Sequence, residues 1–107
     1  MSMENRIAPF AGKTFEVRYQ GLTAINAYAS DGTHMRYEIT EGALSGAHGE
    51  VEYAWKEVAS QVFAIVWQEV DRSTVVHVDD FGKGVSLSYF TTPKNELVRF
   101  EGSLRER

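Results

Sequence analysis

Apolar and polar residues alternate in eight short segments, and this alternation most restricts what the chain can fold into. In the clearest segment Val51, Tyr53 and Trp55 alternate with charged residues. A period of two residues is typical of β-strands, whose successive side chains point to opposite faces of a sheet. The predicted strands are 13–19, 22–29, 34–40, 50–58, 62–70, 73–80, 85–91 and 96–104.

The connections between these strands are short and rich in turn-forming residues. Asp31 and Gly32 tolerate the positive φ that tight hairpins need, and Asp71 with Arg72 predicts a two-residue turn. No connection can hold a crossover helix, so sequential neighbours must pair antiparallel. Such a sheet leaves open edges unless it closes on itself. The sequence therefore predicts an all-β fold, a single eight-stranded antiparallel up-and-down barrel, with a Greek-key sandwich as the alternative.

The N-terminal residues follow a different pattern. Met3, Ile7 and Phe10 recur at helical spacing, and a proline directly before Phe10 limits any helix to a turn or two. This pattern predicts a cap segment over residues 1–10, with a short helical turn that covers one barrel end. The barrel domain is predicted over residues 11–107.

Composition narrows the classes of function. The 107 residues include no cysteine and carry a net charge of −4, with no basic stripe of the kind that binds nucleic acid. The N-terminus lacks the apolar core of a signal peptide, and no apolar run approaches the roughly 20 residues of a membrane helix. We therefore expect a cytoplasmic protein whose partner is a small molecule, rather than nucleic acid or a membrane. The fifth strand is apolar on both faces, which leaves a homodimer open.

Trp67 and Glu69 share one face at the end of the most apolar strand. With a two-residue turn, they would lie opposite Val76 and Thr74. A carboxylate beside an indole in a dry cavity has a raised pKa and can act as a general acid. The alternative is that Trp67 belongs to the core and Glu69 to the solvated rim.

His77 and Asp79 share one face of the sixth strand, a spacing that allows a hydrogen bond or joint contact with a ligand. Glu69 and His77 are therefore the candidate catalytic residues, although a histidine in an apolar strand often has a structural role. Metal binding needs three or four converging ligands. A set of His77, Asp79 and a glutamate is conceivable but disfavoured, so no metal or other cofactor is predicted.

Aromatic residues at alternating positions are candidates for lining an interior cavity. An inward Arg99 would hold a ligand carboxylate, whereas an outward Arg99 would belong to a surface ion pair. The predicted ligand-binding residues are Tyr37, Tyr53, Trp55, Trp67, Tyr89 and Arg99.

Five segments resemble the MoaF-like family, which is named after a molybdenum-cofactor biosynthesis protein. They are MRYEITEG at 35–42, GEVEY at 49–53, WQE at 67–69, VVHVDDF at 75–81 and FTTP at 90–93. The resemblance covers roughly residues 10–104 and implies a lipocalin-like (calycin-type) barrel. Barrels of this build include both carriers and enzymes, so the fold does not choose between them.

Two functions are consistent with these residues. The first is a barrel that binds a small apolar or aromatic molecule in its interior. The alternative is a cofactor-independent lyase, isomerase or decarboxylase acting on a small hydroxylated or aromatic acid. In that enzyme Glu69 or His77 would move a proton and Arg99 would anchor the carboxylate. The directions of these three side chains discriminate between the two.

Overall fold

A computed structural model describes residues 6–107, which form eight β-strands and no helix. The strands are β1 (Thr14–Tyr19), β2 (Leu22–Tyr28), β3 (His34–Gly42), β4 (His48–Ala59), β5 (Val62–Gln68), β6 (Thr74–Asp80), β7 (Val85–Thr91) and β8 (Leu97–Glu106). Each corresponds to one of the predicted segments.

The strands form a closed barrel in sequence order, and every neighbouring pair is antiparallel. The barrel closes where β1 pairs with β8, from Phe15 opposite Glu106 to Tyr19 opposite Gly102. Closure leaves no strand edge unpaired. The predicted all-β, eight-stranded up-and-down barrel is therefore confirmed, and the sandwich is excluded.

The predicted N-terminal helical turn is not found in the described residues. Residues 8–13 form turns instead, with hydrogen bonds from the Ala11 N–H to the Ala8 carbonyl (3.0 Å) and from the Lys13 N–H to the Phe10 carbonyl (3.2 Å). The proline before Phe10 cannot donate a backbone hydrogen bond, which disfavours a continuing helix. Met3, the first residue of the predicted helical pattern, lies outside the described residues.

One end of the barrel is filled by aromatic side chains, and we call it the sealed end. Phe10 is only 3% exposed, and its ring centroid lies 4.7 to 5.9 Å from the rings of five other residues. These are Tyr28, Tyr53, Trp55, Phe63 and Phe81. Edge-to-face and stacked contacts of this kind stabilise a core beyond simple burial.

The β5–β6 hairpin differs from the prediction by one residue. The Glu69 N–H donates to the Ser73 carbonyl (2.9 Å), and Arg72 adopts a φ of 76°. This is the geometry of a three-residue loop that ends in a left-handed residue, rather than the predicted two-residue turn. Trp67 consequently lies opposite Val75, not Val76, and the predicted pairing of Glu69 with Thr74 is also wrong. A shift of one residue exchanges the faces of a strand, so it brings His77 to the same side as Trp67.

Candidate functional site

The barrel interior has an unfilled half opposite the sealed end. This cavity of about 430 Å³ reaches the end at which the β3–β4, β5–β6 and β7–β8 turns lie. Its wall is mainly apolar, and Leu44 and Ala47 of the β3–β4 loop contribute to its mouth. An eight-stranded barrel is either filled by its own side chains or holds one small ligand, and a largely apolar cavity with a few polar groups is the usual form of a ligand site.

Glu69 lies at the mouth of the cavity, where it accepts hydrogen bonds from two aromatic residues. Trp67 Nε1 donates to Oε2 (3.2 Å), and the Tyr37 hydroxyl donates to Oε1 (3.3 Å). Burial raises the pKa of Tyr37, and the negative charge of Glu69 raises it further. The two tethers fix the carboxylate of Glu69 beside the indole, on the face that alternation predicts.

His77 lies deeper in the cavity, next to the carboxylate of Asp79. Its Nδ1 is 3.4 Å from Asp79 Oδ2, and the His77 ring centroid lies 5.0 Å from the ring of Trp67. Both side chains of the pair are buried, with Asp79 only 1% exposed. The spacing of these two residues therefore does place them together, with one ring nitrogen of His77 facing the carboxylate of Asp79.

Asp79 is also part of a buried hydrogen-bonded chain. Its Oδ1 accepts from the Ser86 hydroxyl, and the Ser86 oxygen is 2.7 Å from the hydroxyl of Tyr19. Burial raises the pKa of Tyr19 well above its ordinary value. A buried carboxylate needs such partners, because leaving it without hydrogen bonds would cost several kcal/mol.

Tyr89 and Arg99 do not reach the cavity. They are paired across β7 and β8 and both lie on the outer surface, where Tyr89 is 37% exposed. Their chain neighbours Ser88 and Phe100 line the cavity instead. The ligand-binding role predicted for Tyr89 and Arg99 is therefore not supported, and Arg99 cannot anchor a carboxylate inside the barrel.

Tyr53 and Trp55 point inward but belong to the sealed end, where both pack against Phe10. The Tyr53 hydroxyl is buried without a hydrogen-bond partner in residues 6–107, and burial raises its pKa to about 12. Of the predicted ligand-binding residues, Tyr37 and Trp67 line the cavity. They do so together with Glu69 and His77.

Several cavity residues were not among the predicted site residues. Tyr19, Asn26, Ser88, Phe90 and Phe100 all contribute to the wall. The signal that could have identified them is register, since Phe90 lies opposite Val75 and Val75 lies opposite Trp67. To extend these cross-strand partners to all eight strands, the length of every turn must be predicted correctly.

The cavity lining is acidic. Glu69 and Asp71 contribute carboxylates, whereas no lysine or arginine of the described chain lines the cavity. Hydrogen bonds from the hydroxyl and backbone N–H of Ser73 lower the pKa of Asp71, which keeps it ionised. The two charged side chains that line the mouth are therefore both carboxylates.

No group of three histidine, aspartate or glutamate side chains in residues 6–107 is arranged to hold a metal ion. No helix within the same range is long and apolar enough to cross a membrane.

Comparisons with known proteins identify relatives of this barrel. A family model described as MoaF-like matches residues 11–105. The crystal structure of a candidate β-lactamase from Burkholderia vietnamiensis is 59% identical in sequence and superposes with a TM-score of 0.94. That match covers 96% of this chain and 100% of the other. A search of curated proteins gave no match.

Proposed function

The chain belongs to the MoaF-like family, and we propose that it binds a small, largely apolar molecule in the open half of its barrel. The observation that carries this proposal is the cavity of about 430 Å³. Its wall is mainly apolar, and Trp67, Glu69 and His77 add a few polar groups to it. A ligand would bury its apolar body against the wall and direct a polar group to these side chains.

The two tryptophans provide a matched test of this proposal. Trp67 lines the cavity, whereas Trp55 is 4% exposed in the sealed end. In Trp55→Phe, which leaves Trp67 as the sole indole, we expect small phenyl-containing compounds to change the tryptophan emission saturably. In Trp67→Phe the same titration should leave the emission of Trp55 unchanged.

The excitation wavelength is chosen so that the phenyl compounds do not absorb. A flat titration in Trp55→Phe, or an equal response in both variants, would contradict binding in the cavity. The second outcome would indicate a non-specific effect, because the two indoles occupy opposite halves of the barrel.

The description of the structural relative as a candidate β-lactamase is not carried over to this chain. Serine β-lactamases use a Ser-x-x-Lys motif, and no serine of this sequence is followed by a lysine at that spacing. Metal-dependent hydrolysis needs a converging set of ligands, which residues 6–107 do not provide.

Acid–base catalysis at His77 is a second candidate, favoured by the contact between His77 Nδ1 and Asp79 Oδ2. The carboxylate of Asp79 favours the tautomer with a proton on Nδ1, which leaves Nε2 as the acceptor for a ligand proton. The carboxyl group of Glu69, at the mouth of the same cavity, is a second group that could exchange a proton with the ligand. The side chain of Arg99 lies on the outer surface of the barrel. The proposed reaction therefore does not use Arg99 to anchor a substrate carboxylate.

Hydrogen exchange at a carbon acid tests this second candidate. A small ketone with an aromatic ring is incubated with the protein in D₂O, and the loss of its α-proton signal is followed by NMR. We expect exchange to be faster than in buffer, by the about 10²-fold typical of a positioned base, and to fall to the buffer rate in His77→Gln. Exchange that is unaffected by His77→Gln would remove His77 as the base.

A further inference from the structure

We infer that the ligand of this cavity is an organic cation, an apolar body that carries a protonated amine. The inference rests on the proposed ligand-binding function and names the chemical class of its ligand. Its starting point is the charge of the lining, which contains Glu69 and Asp71 but no lysine or arginine of the described residues.

The charge of Glu69 has no cationic partner in the described chain. Both of its hydrogen-bond donors, the indole of Trp67 and the hydroxyl of Tyr37, are neutral groups. They occupy one acceptor position on each carboxylate oxygen, and each oxygen has a second. A protonated amine at the mouth can therefore bind Glu69 without displacing either tether, through a charge-assisted hydrogen bond.

The remaining wall suits the rest of such a molecule. Trp67, Tyr37, Phe90 and Phe100 contribute aromatic rings to the same cavity. Aromatic rings attract cations through their π-electron faces, and they also bury apolar surface. An acidic group within an aromatic wall is a combination that recognises amines.

A carboxylate ligand would find the opposite environment. His77 is the lining's only side chain, within residues 6–107, that can carry a positive charge, and its Nδ1 already faces the carboxylate of Asp79. A ligand anion would also have to pass Glu69 and Asp71, and like charges at short range repel. Carboxylic acids are therefore the ligands that suit this cavity least, although an inward Arg99 would have favoured them.

Three probes of matched size separate these cases. Calorimetric titrations of the full chain at neutral pH and low salt compare 2-phenylethylamine, 2-phenylethanol and phenylacetate. We expect the amine to bind about tenfold more tightly than the alcohol, the effect of one charge-assisted hydrogen bond. Phenylacetate should bind more weakly than either.

Glu69→Gln assigns the preference to one carboxylate. We expect it to lower the affinity for the amine about tenfold and to change the affinity for the alcohol by less than about twofold, because the variant removes charge but keeps shape. The matched control is Glu101→Gln, which removes a carboxylate exposed on the outer face of β8 and should change neither affinity.

The results of these titrations separate the preference for a cation from ligand binding in the cavity. If the alcohol binds as tightly as the amine, or phenylacetate binds most tightly, the cation preference is wrong and ligand binding in the cavity stands. An amine preference that survives in Glu69→Gln would also overturn the inference. If none of the three probes binds at its highest soluble concentration, both the inference and the proposed function are contradicted.

Discussion

Phe10→Ala is expected to lower the free energy of unfolding by about 3–5 kcal/mol, the range for removing a fully buried phenylalanine. The ring of Phe10 is 3% exposed and contacts aromatic rings from β2, β4 and β5, so its loss leaves a cavity bounded by several strands. Rings on different strands cannot collapse together to fill the space, which places the expected cost toward the upper part of that range.

Urea denaturation followed by circular dichroism measures the effect of Phe10→Ala. Leu44→Ala is the control, because Leu44 is 61% exposed and its truncation should change stability by only about 0.5 kcal/mol. If Phe10→Ala unfolds at the same urea concentration as Leu44→Ala, the segment before β1 is not part of the barrel core.

Gly102→Ala is expected to cost about 3 kcal/mol or more, the upper range for inserting a methyl group where the backbone must move. Gly102 lies opposite Tyr19 where β1 and β8 close the barrel. A Cβ at this position would overlap the carbonyl oxygen of Arg18, well inside van der Waals contact. The obstacle is backbone, so relief requires the β1–β8 pairing itself to shift.

Gly82→Ala is the control for this substitution. A Cβ at Gly82 would lie 3.0 Å from Gln61 Oε1, the far end of a flexible side chain that can move away. We expect its cost to stay below about 1 kcal/mol. Thermal unfolding compares the two variants. Equal melting temperatures would contradict the close approach of β1 and β8.

The architecture could be predicted because it depends on local features. Alternation locates the strands, and short connections force sequential antiparallel pairing. The pairing of Trp67 with Glu69 on one face was also predictable, since it requires only the period of a strand. The structure adds the hydrogen bond between them, from Nε1 to Oε2.

Which face points inward could not be predicted for β7. Leu87 and Tyr89 share one face and Ser86 and Ser88 share the other, so hydrophobicity favours the wrong orientation. The serines are buried because the hydroxyl of Ser86 donates to the buried carboxylate of Asp79. A long-range polar contact thus decides the orientation, and it carries Tyr89 to the surface.

The division of the barrel interior into a sealed end and an open cavity could not be predicted from the sequence either. Tyr53 and Trp67 look equivalent in the alternating pattern, yet only Trp67 lines the cavity. The difference arises from Phe10, which precedes the first strand and fills the half of the barrel that contains Tyr53. A contact such as that between Phe10 and Tyr53, which lie far apart in the chain, cannot be recognised from the alternation of apolar and polar residues.

The indole N–H resonances of the two tryptophans test the central claim, ligand binding in the open half, most directly. Trp67 Nε1 donates to Glu69 at the cavity mouth, whereas Trp55 packs in the sealed end. In NMR titrations of the ¹⁵N-labelled protein with 2-phenylethylamine, 2-phenylethanol and phenylacetate in turn, we expect the first two to shift the Trp67 signal saturably and to leave the Trp55 signal in place. A Trp67 signal that none of the three compounds moves, or that each moves no more than the Trp55 signal, would contradict the claim.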